Sequence, residues 1–406
     1  MIPRLALRAP RAFDGERALP GGAWLLVDDG RIVGVEPAAA PVPDGWPVVD
    51  FPDATMLPGL IDTHVHLCGD SGPGALERLP DFDDDHLARL IVDGLRRHLA
   101  SGVTTVRDLG DRRWAVLERR DAGTPGLPTI LASGPPITSV RGHCWHMGGE
   151  AAGPEQLRAA VRERAERGVD VVKVMGAGGG TTPGTDILRC QFDLDELRVV
   201  VQEAHAAGLP VTVHTHALVA VEQAVAAGAD GIEHGGCLTE SGFGATDDVI
   251  EALARREIAV CPTLGALPGL PPPPPLVALL ARAGMTPEEG RQGRIRLMAQ
   301  LYRGGVTLIS GTDAGIGPPK PHGVLPRAVA DLMASDVPAA DALASATAVA
   351  ARCCGIAART GRLRVGLDAD LLVVHGDPLT DLSALQRVAA VLVRGSRTHQ
   401  DGLTST

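Results

Sequence analysis

Lysine is almost missing from this chain. Of the 38 lysine and arginine residues among 406, only Lys173 and Lys320 are lysine. Arginine serves wherever else a cation is wanted, so a lysine here invites a chemical reason. There is no Cys-x-x-Cys pair, and the seven cysteines are scattered and odd in number. This excludes a disulfide scaffold and a cysteine zinc site, and fits reduced thiols in a cytosol. No apolar run reaches the length of a membrane span, and no basic-then-apolar leader is present. The expectation is a soluble, cytoplasmic protein without membrane attachment. A formal net charge of −11 offers no basic surface for nucleic acid.

What remains is globular: 45% apolar and 21% charged residues, on a chain long enough for one large domain and a smaller one. The first stretch reads as strands and turns. Trp24 to Val27, the Asp29-Gly30 turn and Arg31 to Val35 form a hairpin signature, and Val48 to Phe51 adds another strand. That is too little chain to fold alone. The far end supplies strand-like partners at Ala369 to Val374 and Val388 to Val393. The expected division is a small β domain, a β-sandwich built from residues 1–56 and 359–406, with the main domain inserted as residues 57–358.

The middle alternates strands with helices. Strands are expected at Leu60 to Leu67, Val103 to Val106, Thr129 to Ala132, Val169 to Met175, Pro210 to His214, Gly231 to His234, Ile258 to Cys261 and Val306 to Ser310. Helical runs lie at Asp85 to Ala100, Glu155 to Arg167, Asp195 to Ala207 and Val219 to Ala227. Eight such units imply an α/β fold, a closed parallel (β/α)8 TIM barrel with functional residues at the C-terminal strand ends. Pro271 to Pro275 is expected to be a stiff stretch within a loop.

Five of these strands carry metal-binding residue types. His64 and His66 share a strand face by the i, i+2 rule, as do His214 and His216. His234 and Asp313 end two further strands, and Lys173 sits inside an apolar one. A histidine pair alone is equally well a hydrogen-bonded core pair. A buried lysine needs either a carboxylate partner or a neutral amine. The neutral amine can add carbon dioxide to give a carbamate that bridges two metal ions; arginine cannot. Together these residues suit Zn²⁺ or a related divalent ion.

The chain resembles the amidohydrolase superfamily almost end to end. The resemblance rests on Leu57-Pro58-Gly59-Leu60-Ile61-Asp62-Thr63-His64-Val65-His66, Asp170-Val171-Val172-Lys173, Val213-His214-Thr215-His216, Gly231-Ile232-Glu233-His234-Gly235 and Ser310-Gly311-Thr312-Asp313-Ala314-Gly315. Gly102 to Asp108 and the tail from Gly366 to Leu371 also fit it. The Lys173 strand followed by Gly178-Gly179-Gly180 is similar to the Xaa-Pro dipeptidase and imidazolonepropionase-like branch.

That likeness implies two divalent ions, zinc first, with manganese or iron as alternatives. It implies that His64, His66 and Asp313 bind one ion, that His214 and His234 bind the other, and that carbamylated Lys173 bridges them. A bridging hydroxide would then attack a scissile carbonyl, with Asp313 moving its proton to the leaving nitrogen. His143 and His216 would touch a small-molecule substrate. A tyrosine often stands where this chain has His216, which departs from the dipeptidase pattern. Arg141 or Lys320 is a candidate partner for a substrate carboxylate, with a solvated role expected first; His146 is expected to be structural or to support the site from behind, and His322 matches a recurring family position with no assigned chemistry.

The implied function is metal-dependent hydrolysis of an amide bond in a small N-acyl amino acid or dipeptide-like compound. Alternatives are opening of a cyclic amide or carbamate, decarboxylation at the same site, and a non-catalytic scaffold. A homo-oligomer is left open.

Overall fold

The computed structural model describes residues 4–400; residues 1–3 and 401–406, the outermost parts of the expected β domain, lie outside the described residues. The middle of the chain runs β1 (Leu60–Val65), α1 (Asp84–Ala100), β2 (Val103–Asp108), α2 (Ala115–Asp121), β3 (Thr129–Ala132) and α3 (Gly153–Glu166). It continues with β4 (Val172–Met175), α4 (Leu194–Ala206), β5 (Val211–Ala217), α5 (Leu218–Ala227) and β6 (Gly231–Thr239). Then follow α6 (Asp247–Arg255), β7 (Ala259–Cys261), α7 (Pro274–Arg282) and α8 (Pro287–Arg303).

Parallel pairing joins β1, β2 and β3, and separately β4, β5, β6 and β7. Narrower contacts link the two groups. The Asp170 amide donates to the Ala132 carbonyl (2.9 Å), and Ile137 bridges Val174 in parallel. On the other side Val260 bridges Leu308, and Val65 bridges Ala314. The segment 306–314 therefore lies between β7 and β1, where the eighth strand is expected, yet it forms no strand of its own. Its amides and carbonyls meet β7 at Val260, and the chain then turns away at Asp313, whose φ of 63° ends any ladder.

All six residues of β1 are buried, as they are in β2. A strand covered on both faces reads as a near-continuous apolar run rather than an alternation. The helices cover this layer with one apolar stripe each. In α1, Leu87, Ile91, Leu95 and Leu99 are buried at four-residue spacing, and the Asp83 side chain caps the helix by accepting from the His86 amide (2.7 Å). α4 begins with a capping box between Asp193 and Glu196, and α8 with one between Thr286 and Glu289. Pro274 and Pro275 open α7 rather than belonging to a loop, because proline is tolerated where a helix has no use for the missing N–H.

The two chain ends share a sheet. Ala54–Pro58 pairs antiparallel with Leu371–His375, which pairs with Val388–Val393. A second sheet pairs Leu5–Ala9 with Ala23–Asp28 and Ala23–Asp28 with Arg31–Pro37. Between these two strands Asp29 and Gly30 both have positive φ (45° and 77°), the turn whose twist suits a hairpin. Leu7, Leu25 and Val27 of one sheet share an apolar cluster with Met56, Leu371 and Leu392 of the other. Among the described residues no helix is long and apolar enough to cross a membrane.

Candidate metal centre

β1 ends at Val65, so His64 is its penultimate residue and His66 opens the following turn. Each imidazole is held at Nδ1. His64 donates to Glu233 Oε2 (2.7 Å), and His66 to the Gly110 carbonyl (3.0 Å). Burial alone would raise Glu233, but His64 and Arg107 outweigh it and hold the carboxyl far below its ordinary value. An ionised Glu233 only accepts, so His64 donates from Nδ1 and turns Nε2 toward the site. His66 donates from Nδ1 to a carbonyl in the same way, and although burial lowers its imidazole, Asp313 outweighs this and raises it above the ordinary value. The two Nε2 atoms face each other at 3.3 Å, and Asp313 Oδ1 lies 3.3 and 3.2 Å from them. Asp313 is likewise held well below the usual carboxylate range, with His64 and His66 outweighing the effect of burial.

His214, His216 and His234 form a second group whose ring nitrogens lie within 4.8 Å of one another. The His214 ring is centred 4.5 Å from His234 and 5.0 Å from His216, and His64 is centred 5.3 Å from His234. The structure thus brings His64, His66, Asp313, His214 and His234 together, with His216 in the same cluster. β5 loses its regular register against β6 after Thr215, which draws His216 close to the other two. The His143 ring lies tilted against His214 at 4.5 Å, its Nδ1 bonded to Thr182 (2.9 Å). A Cβ on Gly179 would stand 2.3 Å from the His143 ring, so this glycine is what lets the loop pass.

Lys173 lies beside Thr212 in the β4–β5 register and is 1% exposed. Its Nζ is fully enclosed and has no hydrogen-bond partner. Among the described residues no carboxylate lies within ion-pair distance, so the buried Lys–Asp pair is not what the structure forms. Burial pulls the amine below its ordinary value, with the charges of Glu233 and Asp313 opposing.

Two of these residues occupy strained backbone. His234 has φ 69° and Asp313 φ 63°, a region that costs non-glycine residues free energy and is held only by its surroundings. At Asp313 the clamp is Asp62, which accepts from the Thr312 amide (3.0 Å) and hydroxyl (2.7 Å). At His234 the positive φ brings it and the adjacent Glu233 into one site, although neighbours on a regular strand face opposite ways. Glu233 also accepts from Arg107 (3.0 Å) and Thr212 (2.7 Å).

Glu233 and Asp62 stand within the family-like motifs, but their spacing assigns neither a role. His98 is fully buried, 3.2 Å from His322, whose other nitrogen bonds the Gly69 carbonyl (2.8 Å). His146 stacks on Trp145, and Arg141, exposed, lies over the same ring at 4.0 Å. Neither joins the histidine cluster.

The donor set fits a cation. Two imidazole nitrogens facing each other at 3.3 Å beside an ionised carboxylate make a seat for positive charge. The Glu233–His64 contact is the outer support that ligating histidines require. Nitrogen and carboxylate ligands of this kind suit zinc and its neighbours.

Residues 55–398 match the family model described as the amidohydrolase family. Ochratoxinase of Aspergillus niger is 28% identical over 375 residues, covering 83% of this chain and 73% of that protein. An uncharacterised protein of Mycobacterium tuberculosis is 31% identical over 393 residues, covering 92% of this chain and 90% of that one. A solved Xaa-Pro dipeptidase with methionine bound in its active site superposes with a TM-score of 0.83 at 26% identity, covering 97% of this chain and 99% of that chain.

Proposed function

The chain belongs to the amidohydrolase family, and from that premise we propose that it is a metal-dependent hydrolase of the amide bond in a small N-acyl amino acid or dipeptide-like substrate. The observation that carries this reading is the convergence of His64, His66 and Asp313 on one point, within electrostatic reach of the buried, unpartnered amine of Lys173. Likeness to a dipeptidase with an amino acid in its active site supports an amino-acid-containing substrate.

In this reading residues 57–358 are a closed (β/α)8 barrel, flanked by a β-sandwich of residues 1–56 and 359–406. His64, His66 and Asp313 would hold one divalent ion, and His214 and His234 a second. Lys173 would serve both sites as a carbamate: its neutral nitrogen bonds the carbon of CO2, one C=O becomes C–O⁻, and the N–H proton leaves to solvent. The ions, zinc first and manganese or iron as alternatives, would supply Lewis acidity and lower the pKa of water toward neutrality.

The remaining work belongs to the chain. Asp313, kept ionised, accepts the proton of the attacking water and returns it to the departing nitrogen. Glu233 fixes the ring and tautomer of His64, and Thr263 bonds Nδ1 of His234 at 2.8 Å. His143 and His216 meet the substrate. Burial holds both far toward the neutral imidazole, at about 3, so they orient substrate as uncharged partners.

The test is a panel of N-acyl amino acids and dipeptides, scored by release of the free amine. Turnover is expected on several members, lost on chelation and restored by zinc. Turnover that survives complete chelation contradicts a metal-dependent reaction, and decarboxylation or ring opening in its place contradicts the amide reading.

A further inference from the structure

Beside His234 the chain turns through Pro262, Thr263 and Leu264, with Thr263 at φ 46°. Two cations from different elements grip this turn. Arg294, on α8, donates from Nη2 to the Pro262 carbonyl and to Thr263 Oγ1 (3.4 Å). Lys320, in the loop beyond Asp313, donates from Nζ to the carbonyls of Thr263 (2.6 Å) and Leu264 (2.9 Å). Thr263 Oγ1 is the group that holds His234. Both cations therefore stand next to the proposed second ion site. Their charges also reach the site, since Arg294 is the strongest charge acting on His216 after burial, and Asp313 acts on both cations.

Neither cation has an acid partner within ion-pair distance among the described residues. The Nε of Arg294 has no exposed surface and no hydrogen-bond partner. Lys320 is pushed down to about 8, by burial first and then by Arg294. Asp331 and Asp313 act on both cations from beyond ion-pair distance and offset only part of the cost of two neighbouring, half-buried cations. The usual remedy is an anion.

The Lys320 ammonium serves two carbonyls and keeps a third N–H.

We propose that Arg294 and Lys320 form the seat for a free carboxylate of the substrate, making the enzyme selective for acids over neutral amides. The proposal rests on the amide-hydrolase reading above. The anion is a carboxylate, the anionic group that an N-acyl amino acid or dipeptide substrate carries.

The experiment compares the fastest N-acyl amino acid of the panel with its own primary amide, or N-acetyl-L-phenylalanine with its amide where none is turned over. Zinc-loaded wild type, Lys320→Met, Arg294→Lys and Arg294→Met are assayed for kcat, KM and zinc content, and acid binding is measured by calorimetry. Wild type is expected to favour the acid by roughly 10²-fold in kcat/KM, chiefly through KM, as for loss of charge-assisted hydrogen bonds. In the variants the acid-to-amide ratio is expected to drop toward one with zinc content unchanged.

An unchanged ratio in every variant, with both substrates slowed alike, means that these residues only support the turn and overturns the proposal. So does a wild type without acid preference, which leaves the hydrolase reading standing. If no panel member is cleaved but the acid binds and Lys320→Met or Arg294→Met abolishes binding, the seat stands and the hydrolase reading falls. Neither binding nor cleavage overturns both.

Discussion

Lys173→Arg is expected to lower turnover by on the order of 10³-fold or more, the scale of losing a preorganised charge at a reaction centre. The substitution keeps the positive charge and much of the volume, so a structural lysine would tolerate it better. Lys173 is not paired with an acid, and its Nζ is enclosed with nothing to bond. Burial favours the neutral amine that carbamate formation needs. A guanidinium stays protonated and cannot add carbon dioxide. The companion variant Lys173→Ala, supplied with a short carboxylic acid in place of the carbamate, is expected to recover part of the lost rate. Steady-state assays of the two variants decide the matter. Near-normal turnover in Lys173→Arg rules out the carbamate.

The second large effect separates His214 from His216. The structure places both in one group with His234, so distance alone assigns no roles. His214 is fully buried between His143 and His234, with Nε2 3.4 Å from the Gly178 carbonyl, whereas His216 is partly exposed and stacks on His234 at 4.4 Å. The partly exposed ring is the one a substrate can reach. His214→Ala is therefore expected to lose metal and turnover together. His216→Ala is expected to keep both ions and lose roughly 10²-fold in kcat/KM, the scale of a single polarising donor. Metal analysis of the two variants beside their kinetics reads this directly. Loss of metal in His216→Ala with metal retained in His214→Ala reverses the two roles.

Much of the site was legible because strands repeat every two residues. His64 and His66 converge as that period requires, and the βα alternation carried seven of the eight expected strands to within a few residues. The eighth failed for a local reason. Residues 306–310 meet β7 but then turn at Asp313, so the pairing there is single bridges rather than a ladder.

Glu233 escaped because adjacent strand residues are read as facing apart, and only the φ of His234 puts both into the site. Arg107 and Thr212, which hold Glu233, and Thr263, which joins His234 to Arg294, come from separate strands and turns; no spacing in the sequence announces them. His98 lies in a helix, and its full burial against His322 depends on where the loop beyond Asp313 lands. Pattern reveals residues within one element, while partners meeting across elements appear only with the fold.

The central claim is a two-ion centre joined through Lys173, and metal stoichiometry tests it most directly. Elemental analysis of active protein purified from zinc-supplemented cells is expected to give close to two divalent ions per chain, falling together with activity in Lys173→Arg. One ion per chain in fully active protein, with Lys173→Arg binding metal as the wild type does, contradicts it.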